Sequence, residues 1–247
     1  MDKLIYTAMT GASQVLEQQA TVSENLANAS TPGFRAALNT FRAVPLVGEG
    51  LATRAFVVDS TVGTDFSPAG LQPTGRDLDV AVNGTGWIAV QGLDGKEAYT
   101  RNGSLQIGPD GTLKTSTGLN VIGTTGPISI PPTSQITFAN DGTISTIPDG
   151  SQAGAITTID TVKLVNPPES QLERGADGLF RLKNGATAPV DVNTQIVPGN
   201  IEGSNVSTVN ALVNMISLAR KFDMQMKMLT TADNDANKAS SVMGITG

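Results

Sequence analysis

Residues 25–34 read NLANASTPGF, and what they do to the chain decides the fold. The segment before them has helical periodicity, but Pro32 lacks a backbone donor and Gly33 gives up backbone entropy in a helix. The helix therefore ends here and the chain turns a corner. Upstream, Ile5, Ala12, Gln19 and Leu26 fall seven apart, and Ala8, Val15 and Val22 fill the steps between them, the a/d stripe of a heptad. The stripe is narrow, built from small residues and broken once by a polar one.

The far end of the chain has the same habit. Proline is absent from residues 1–31 and again from 199–247. Val209, Leu212, Ile216, Ala219, Phe222, Met226 and Leu229 recur at three or four residues, so a second amphipathic helix is expected there. Ser204, Asn205 and Ser207 supply side chains able to accept the orphan N–H groups at its start. Met224, Met226 and Met228 offer an adaptable packing surface, because unbranched thioethers fill irregular gaps.

Between the helices the period falls to two. Leu78/Val80/Val82, Ile128/Ile130, Ile136/Phe138, Val162/Leu164 and Val190/Val192 are spaced as on one pleated face. Asp-Gly pairs at 94–95, 110–111, 141–142, 149–150 and 177–178 punctuate these runs, each tolerating the positive φ of a hairpin turn. The fold expected is mainly β, an antiparallel and turn-rich central region between long terminal α-helices. Residues 35–72, with Pro45, Gly48, Gly50, Pro68 and Gly70 among weak runs such as Phe56–Val58, read as an extended connector.

Composition removes whole classes of chemistry. The 247 residues contain no cysteine and no histidine, which excludes disulfides, thiolate nucleophiles, sulfur-built zinc sites and the commonest general base. A net charge of −6 offers no basic footprint for a phosphate backbone, so no nucleic-acid partner is expected. No stretch approaches the roughly 20 apolar residues that cross a bilayer, and the start lacks the basic-then-apolar pattern of a cleavable secretory signal. Neither membrane insertion, a metal nor a cofactor is expected.

The remaining chemical candidates are weak. Asp77 and Asp79 share one strand face and could be the two acids of a glycosidase, although alternating acids on a solvated face are the ordinary result of amphipathic pleating. Asp233-Asn-Asp235 opens like a calcium loop but lacks its sixth-position glycine and closing glutamate. Gly84-Thr-Gly86 lacks the third glycine of a dinucleotide fingerprint. Trp87 reads as a core anchor. The terminal helices are more informative: one over residues 3–28 would be about 39 Å long, and its Ala-rich stripe buries too little to order it alone. Such a helix is expected to order fully only in an assembly.

Three segments in order resemble the bacterial flagellar rod and hook protein family. NLANASTPGF resembles its N-terminal corner. Gly84–Val90, Tyr99–Gly103, Asp110–Leu113 and Gly118–Gly123 are similar to its central β region, and Ile201–Val206 with the following helix resembles its C-terminal signature. Within the family, the length and the ending Ala219–Lys227 resemble proximal rod members more than distal rod or hook ones.

The resemblance implies a structural, non-enzymatic subunit of the basal-body rod. Such a subunit co-assembles with copies of itself and other rod proteins into a helical tubular shaft that carries torque and encloses a channel. It would leave the cell through the flagellar type III export apparatus and lie in the rod across the periplasm. The implied division is an inner helix and corner at 1–34, a connector at 35–72, an outer β-rich domain at 73–200, and a second inner helix at 201–247 pairing with the first as a coiled coil. The subunit interface is then expected at Ile5, Ala8, Ala12, Val15, Val22, Leu26 and Asn28, at the corner Pro32, Gly33 and Phe34, and at Ser204, Asn205 and Val206. On the last helix it takes in Val209, Leu212, Ile216, Ala219, Phe222, Met226 and Leu229. A secreted carbohydrate-active protein using Asp77 and Asp79, or an adhesive β module, are the competing readings.

Overall fold

A computed structural model describes residues 3–45, 55–131, 134–148 and 156–244. The chain forms two compact units, the first from Met1–Ala29, Ala36–Asp65 and Val206–Gly247, the second from Ser30–Arg35 and Phe66–Asn205. No helix among the described residues is long and apolar enough to cross a membrane.

The first unit contains helix α1 (Lys3–Ala27), strands β1 (Ala37–Pro45) and β2 (Ala55–Thr64), and helix α2 (Thr208–Gly244). At 1.5 Å per residue the helices are about 37 and 55 Å long. They run antiparallel: Gly11 faces Gln225 near the middle of α1, and Val22 and Asn25 lie with Asn214 and Leu218 nearer its end. Asn28 closes α1, its side-chain amide donating to the Glu24 carbonyl at 2.9 Å. At the start of α2 the Ser207 hydroxyl accepts the Asn210 N–H at 3.4 Å, as its position before the apolar run suggests.

Where an extended connector was expected, the described residues form a hairpin. β1 and β2 pair antiparallel from Ala37↔Thr64 to Pro45↔Ala55, with a bulge at Thr40/Phe41. Its strands carry few of the alternating large apolar residues by which a strand is recognised. Polar bonds to α1 hold it instead. The Asn25 amide donates to the Ala37 carbonyl and accepts the Ala37 N–H, both at 2.8 Å, standing in for a neighbouring strand. One turn earlier, the Asn39 amide donates to the Thr21 hydroxyl at 2.8 Å.

The second unit is β-rich, with the following strands. They are β3 (Leu71–Pro73), β4 (Val80–Asn83), β5 (Trp87–Gln91), β6 (Glu97–Thr100), β7 (Leu105–Ile107), β8 (Leu113–Thr115), β9 (Ser134–Phe138) and β10 (Thr143–Pro148). They continue with β11 (Thr157–Thr161), β12 (Leu164–Val165), β13 (Leu172–Arg174), β14 (Phe180–Leu182), β15 (Gln195–Pro198) and β16 (Asn200–Glu202). A five-stranded sheet runs β12-β5-β6-β14-β13 and a three-stranded one β11-β10-β9, with pairs β15-β4, β16-β3 and β7-β8. The Asp-Gly pairs at 94–95, 110–111, 141–142 and 177–178 each join two consecutive antiparallel strands, and each glycine has φ between +75° and +86°. The pair at 149–150 lies outside the described residues.

Strand β5 shows why this region is not a plain amphipathic sheet. Ile88 and Val90 enter one core, with Leu113 and Ile144, while Trp87 and Ala89 enter another, with Tyr99 and Phe180. Both faces are covered, so the run is apolar throughout. Of the expected pleated runs, only Ile136/Phe138 lies wholly within one strand. Leu78 lies in a turn just before β4, Val162 at an isolated bridge, and Ile128 and Ile130 outside the strands, though all four pack in the first core. Val190 and Val192 are exposed and outside any strand, because the Asp191 carboxylate accepts the Asn193 N–H at 3.0 Å and the Thr194 hydroxyl at 2.8 Å, folding the segment into a side-chain-capped turn.

A buried polar network spans the second core. The Tyr99 hydroxyl donates to Glu97 at 3.0 Å and accepts the Ala188 N–H at 2.6 Å, while Lys163 contacts both Glu97 oxygens at 2.9 and 2.8 Å. Burial, reinforced by the Glu97 carboxylate and opposed by the Ala188 bond, pushes the Tyr99 hydroxyl up from 10.0 to about 12. Between pH 10 and 12 the unfolded chain releases this proton while the folded chain keeps it, so folding stability falls as pH rises through that window. The expected loss is up to about 2–3 kcal/mol. Urea titrations at stepped pH check it, and Tyr99→Phe should flatten the slope.

Candidate assembly interface

Each helix of the first unit has one covered and one uncovered side. From Thr208 to Ser241, the positions of α2 that are not exposed are 211, 215, 218, 222, 225, 229, 232, 236 and 239, alternating steps of four and three throughout. That is a heptad seam. On α1 the matching stripe is Ile5, Ala8, Ala12, Val15, Gln19, Val22 and Leu26, of which Ala8, Ala12 and Val15 are fully buried. Small side chains in the seam let Gly11 approach Gln225 closely: a Cβ on Gly11 would lie 3.2 Å from the Gln225 amide nitrogen.

A second α1 stripe, at 7, 11, 14, 18, 21 and 25, is also at least half-buried. Its Thr21 and Asn25 are the residues that bond β1. With Gln18, and with Asn214, Ser217 and Lys221 of α2, they border a groove of about 300 Å³. Being polar, this stripe leaves no trace in hydrophobic periodicity.

Much of what remains of both helices, among the described residues, is uncovered. Tyr6, Met9 and Leu16 on α1, and Val209, Leu212, Val213 and Ile216 on α2, are each 49–67 % exposed. The interface residues expected from sequence therefore divide. Ala8, Ala12, Val15, Phe222 and Leu229 lie in the seam inside one chain, with Ile5, Val22 and Leu26 half-buried along it. Val209, Leu212, Ile216, Ala219 and Met226 lie outside it, facing solvent.

The corner belongs to the second unit and is fixed by a charge cluster that periodicity did not reveal. Glu202, 1 % exposed, meets the Arg35 guanidinium at 2.8 Å and that of Arg101 at 3.3 Å, while its Oε1 accepts the Ala69 N–H at 2.9 Å. Arg101 lies 5.6 Å from the Trp87 ring centre and donates to the carbonyls of Val82, at 3.2 Å, and Gly84. Burial pulls the Arg101 guanidinium down to about 10, with Glu202 holding it up and Arg35 opposing, so it is charged at neutral pH.

Around this cluster Gly33, at φ +70°, donates its N–H to the Glu202 carbonyl at 2.8 Å. A Cβ there would lie 2.3 Å from the Arg101 carbonyl carbon, which rules out any other residue. Phe34 lies 4.6 Å beneath the Arg174 guanidinium, and its carbonyl accepts the Asn205 N–H at 3.3 Å. Pro32 and Ser204 are half-buried here. Each of the three resembling segments thus contributes one charge: Arg35 follows NLANASTPGF, Arg101 lies in YTRNG and Glu202 in IEGSNV.

The carboxylates weighed for glycoside chemistry sit in unlike settings. Asp79 is 2 % exposed and paired with Arg76 at 3.5 Å, whereas Asp77 is exposed. An acid held buried against an arginine is committed to that ion pair and is a poor partner for the two-carboxylate chemistry of such hydrolysis.

Residues 5–35 match the family described as flagella basal body rod protein, residues 81–146 the flagellar hook protein FlgE/F/G D1 domain, and residues 197–242 the flagellar basal body rod FlgEFG protein C-terminal family. The chain is 48 % identical to flagellar basal-body rod protein FlgF of Salmonella typhimurium, over 99 % of this chain and 100 % of the relative. It is 47 % identical to FlgF of Escherichia coli over the same shares. With flagellar basal-body rod protein FlgG of Buchnera aphidicola subsp. Schizaphis graminum the identity is 31 %, over 90 % of this chain and 92 % of the relative.

Replacing Glu202 by Gln keeps the shape of the cluster and leaves two buried guanidiniums without an anion. We expect a loss of about 3–5 kcal/mol in the second unit. The single tryptophan, Trp87, reports it as a lowered urea midpoint. A loss below about 1 kcal/mol would mean that the cluster is not what holds the corner.

Proposed function

The chain belongs to the flagellar basal-body rod protein family, and we propose that it is a proximal rod subunit whose two helices form the inner wall of the shaft. As a family member it is a structural subunit of the basal-body rod, not an enzyme, and assembles there with other rod proteins. The uncovered apolar stripes on α1 and α2 carry the rest of the proposal. A heptad seam covers one side of each helix and leaves the other to be covered by neighbours.

In this reading α1 and α2 form an inner coiled coil with the β1–β2 hairpin beside α1, and the β-rich unit, with the corner at residues 30–35, forms the outer domain. The 4–3 spacing of the α2 seam supports the coiled coil. The interface comprises the corner and the free positions Val209, Leu212, Ile216, Ala219 and Met226. The seam positions Ala8, Ala12 and Val15 act through it by holding the helices together. Repetition of a contact whose rotation does not close a ring gives a helical tube, enclosing the export channel and carrying torque. The subunit reaches its place, in the rod across the periplasm, through the type III export apparatus and without cleavage of a signal peptide. The acidic balance of −6 supports the absence of a nucleic-acid partner. The similarity to FlgF over nearly its whole length favours the proximal position over a distal rod or hook role.

Val15→Asp puts a charge into the α1–α2 seam. The expected outcome is loss of swimming in a strain carrying only this variant and its absence from isolated basal bodies, with the urea midpoint at Trp87 unchanged. Normal swimming would contradict the proposal.

A further inference from the structure

The exposed methionines of the helical pair stand at one level. Met9 on α1 and Met224, Met226 and Met228 on α2 are each 42–60 % exposed. Gly11 lies opposite Gln225 and the helices run antiparallel, so Met9 stands level with Lys227, between Met226 and Met228. Counted along the axis, all four residues fall within about 6 Å. On α2 they do not form a stripe. Met224 and Met228, four apart, share one face and Met226 lies on another, with the seam positions 222, 225 and 229 running between them. The methionines therefore flank the seam on both sides.

Their chemistry differs from that of the aliphatic residues around them. The chain has no cysteine to be oxidised first, and its one tryptophan, Trp87, is buried. An exposed thioether is then the side chain that a peroxide attacks. Met215, on the same helix, lies in the seam and is half-buried, which makes it an internal reference.

We infer that Met9, Met224, Met226 and Met228 are an oxidation site, at which a peroxide forms sulfoxides in the unassembled subunit and so bars that subunit from the rod. This rests on the rod-subunit reading and adds a chemical condition on incorporation. At each residue the sulfur lone pair takes one oxygen from hydrogen peroxide. An S–O bond forms, the O–O bond breaks, and the second oxygen leaves as water with both protons, sulfur having given up two electrons. In the free chain the new oxygen is hydrated and the helices are undisturbed. Beneath an apolar neighbour it is an acceptor without a donor, and burying such a group is costly. A sulfoxide can be reduced back to the thioether, so the bar is reversible.

Peroxide treatment of the purified chain, mapped by mass spectrometry, gives the first test. Sulfoxide should form at residues 9, 224, 226 and 228 at least tenfold faster than at Met215, without loss of helical circular dichroism. Oxidation of Met215 at the same rate overturns the inference. The second test uses cells given a sublethal pulse of hydrogen peroxide while newly made chain is isotopically labelled. Labelled chain in isolated basal bodies should carry at least threefold less sulfoxide at the four positions than labelled chain left unincorporated, and equal amounts overturn the inference. The pulse should also lower the amount of labelled chain in basal bodies at least threefold relative to untreated cells. For the chain with Met9→Leu, Met224→Leu, Met226→Leu and Met228→Leu together, the ratio of treated to untreated should stay near one. An equal fall for both chains overturns the inference. Absence of the unaltered chain from basal bodies of untreated cells would instead overturn the rod-subunit reading.

Discussion

The seam between α1 and α2 sets alanines among larger side chains such as Phe222 and Leu229 and covers only one side of each helix, and the rest of the molecule follows from that constraint. Alanine at positions 8, 12 and 211 brings the helices close but buries one methyl at each place. Close approach favours a narrow, straight pair, as a tube wall needs. Scant burial leaves the pair dependent on what lies beside it. On one flank of α1 that neighbour is the β1–β2 hairpin, held by Asn25 and Thr21 through hydrogen bonds that demand a fixed position. Elsewhere the flanks of the pair end in apolar side chains facing solvent.

The second unit solves a different problem. The chain passes between the units at 29/30, 35/36, 65/66 and 205/206, and Arg35 and Ala69, each near one of these passages, meet at the carboxylate of Glu202, near another. A buried carboxylate shared by two guanidiniums is a poor source of net stability compared with apolar packing, yet it is unforgiving of displacement, since any opening leaves a buried charge alone. Its role fits geometry better than adhesion. The bond from Gly33 to the Glu202 carbonyl and the bond from Asn205 to the Phe34 carbonyl fix entry and exit side by side. The rest of the unit is a β structure with two apolar cores on either side of β5.

Much of this was legible in the residues, and the failures have physical causes. The α1 stripe was read in its true phase because Ile5, Val15, Val22 and Leu26 outweigh their neighbours. On α2 the apolar run begins with Val209, Leu212 and Ile216, which are more apolar than Ala211, Gln225 or Ala232, and so it traced the uncovered face first and met the seam only at Phe222 and Leu229. Hydrophobicity marks surface that will be buried by something, not by what. The Asp-Gly turns were plain because positive φ restricts the residues allowed. The hairpin and the charge cluster were hidden, since side-chain amides against backbone and buried ion pairs have no period. Asp79 looked solvated for the same reason, its burial being visible only once Arg76 is beside it.

Native-state hydrogen exchange tests the central claim most directly, namely that the helical unit is completed by its neighbours. In the free chain the amides of α1 and α2 should exchange at least tenfold faster than those of β5 and β6, and in isolated basal bodies they should slow to match them. If both helices are already as protected in the monomer as the β cores, the unit is complete by itself, and the uncovered stripes have no structural need of a partner.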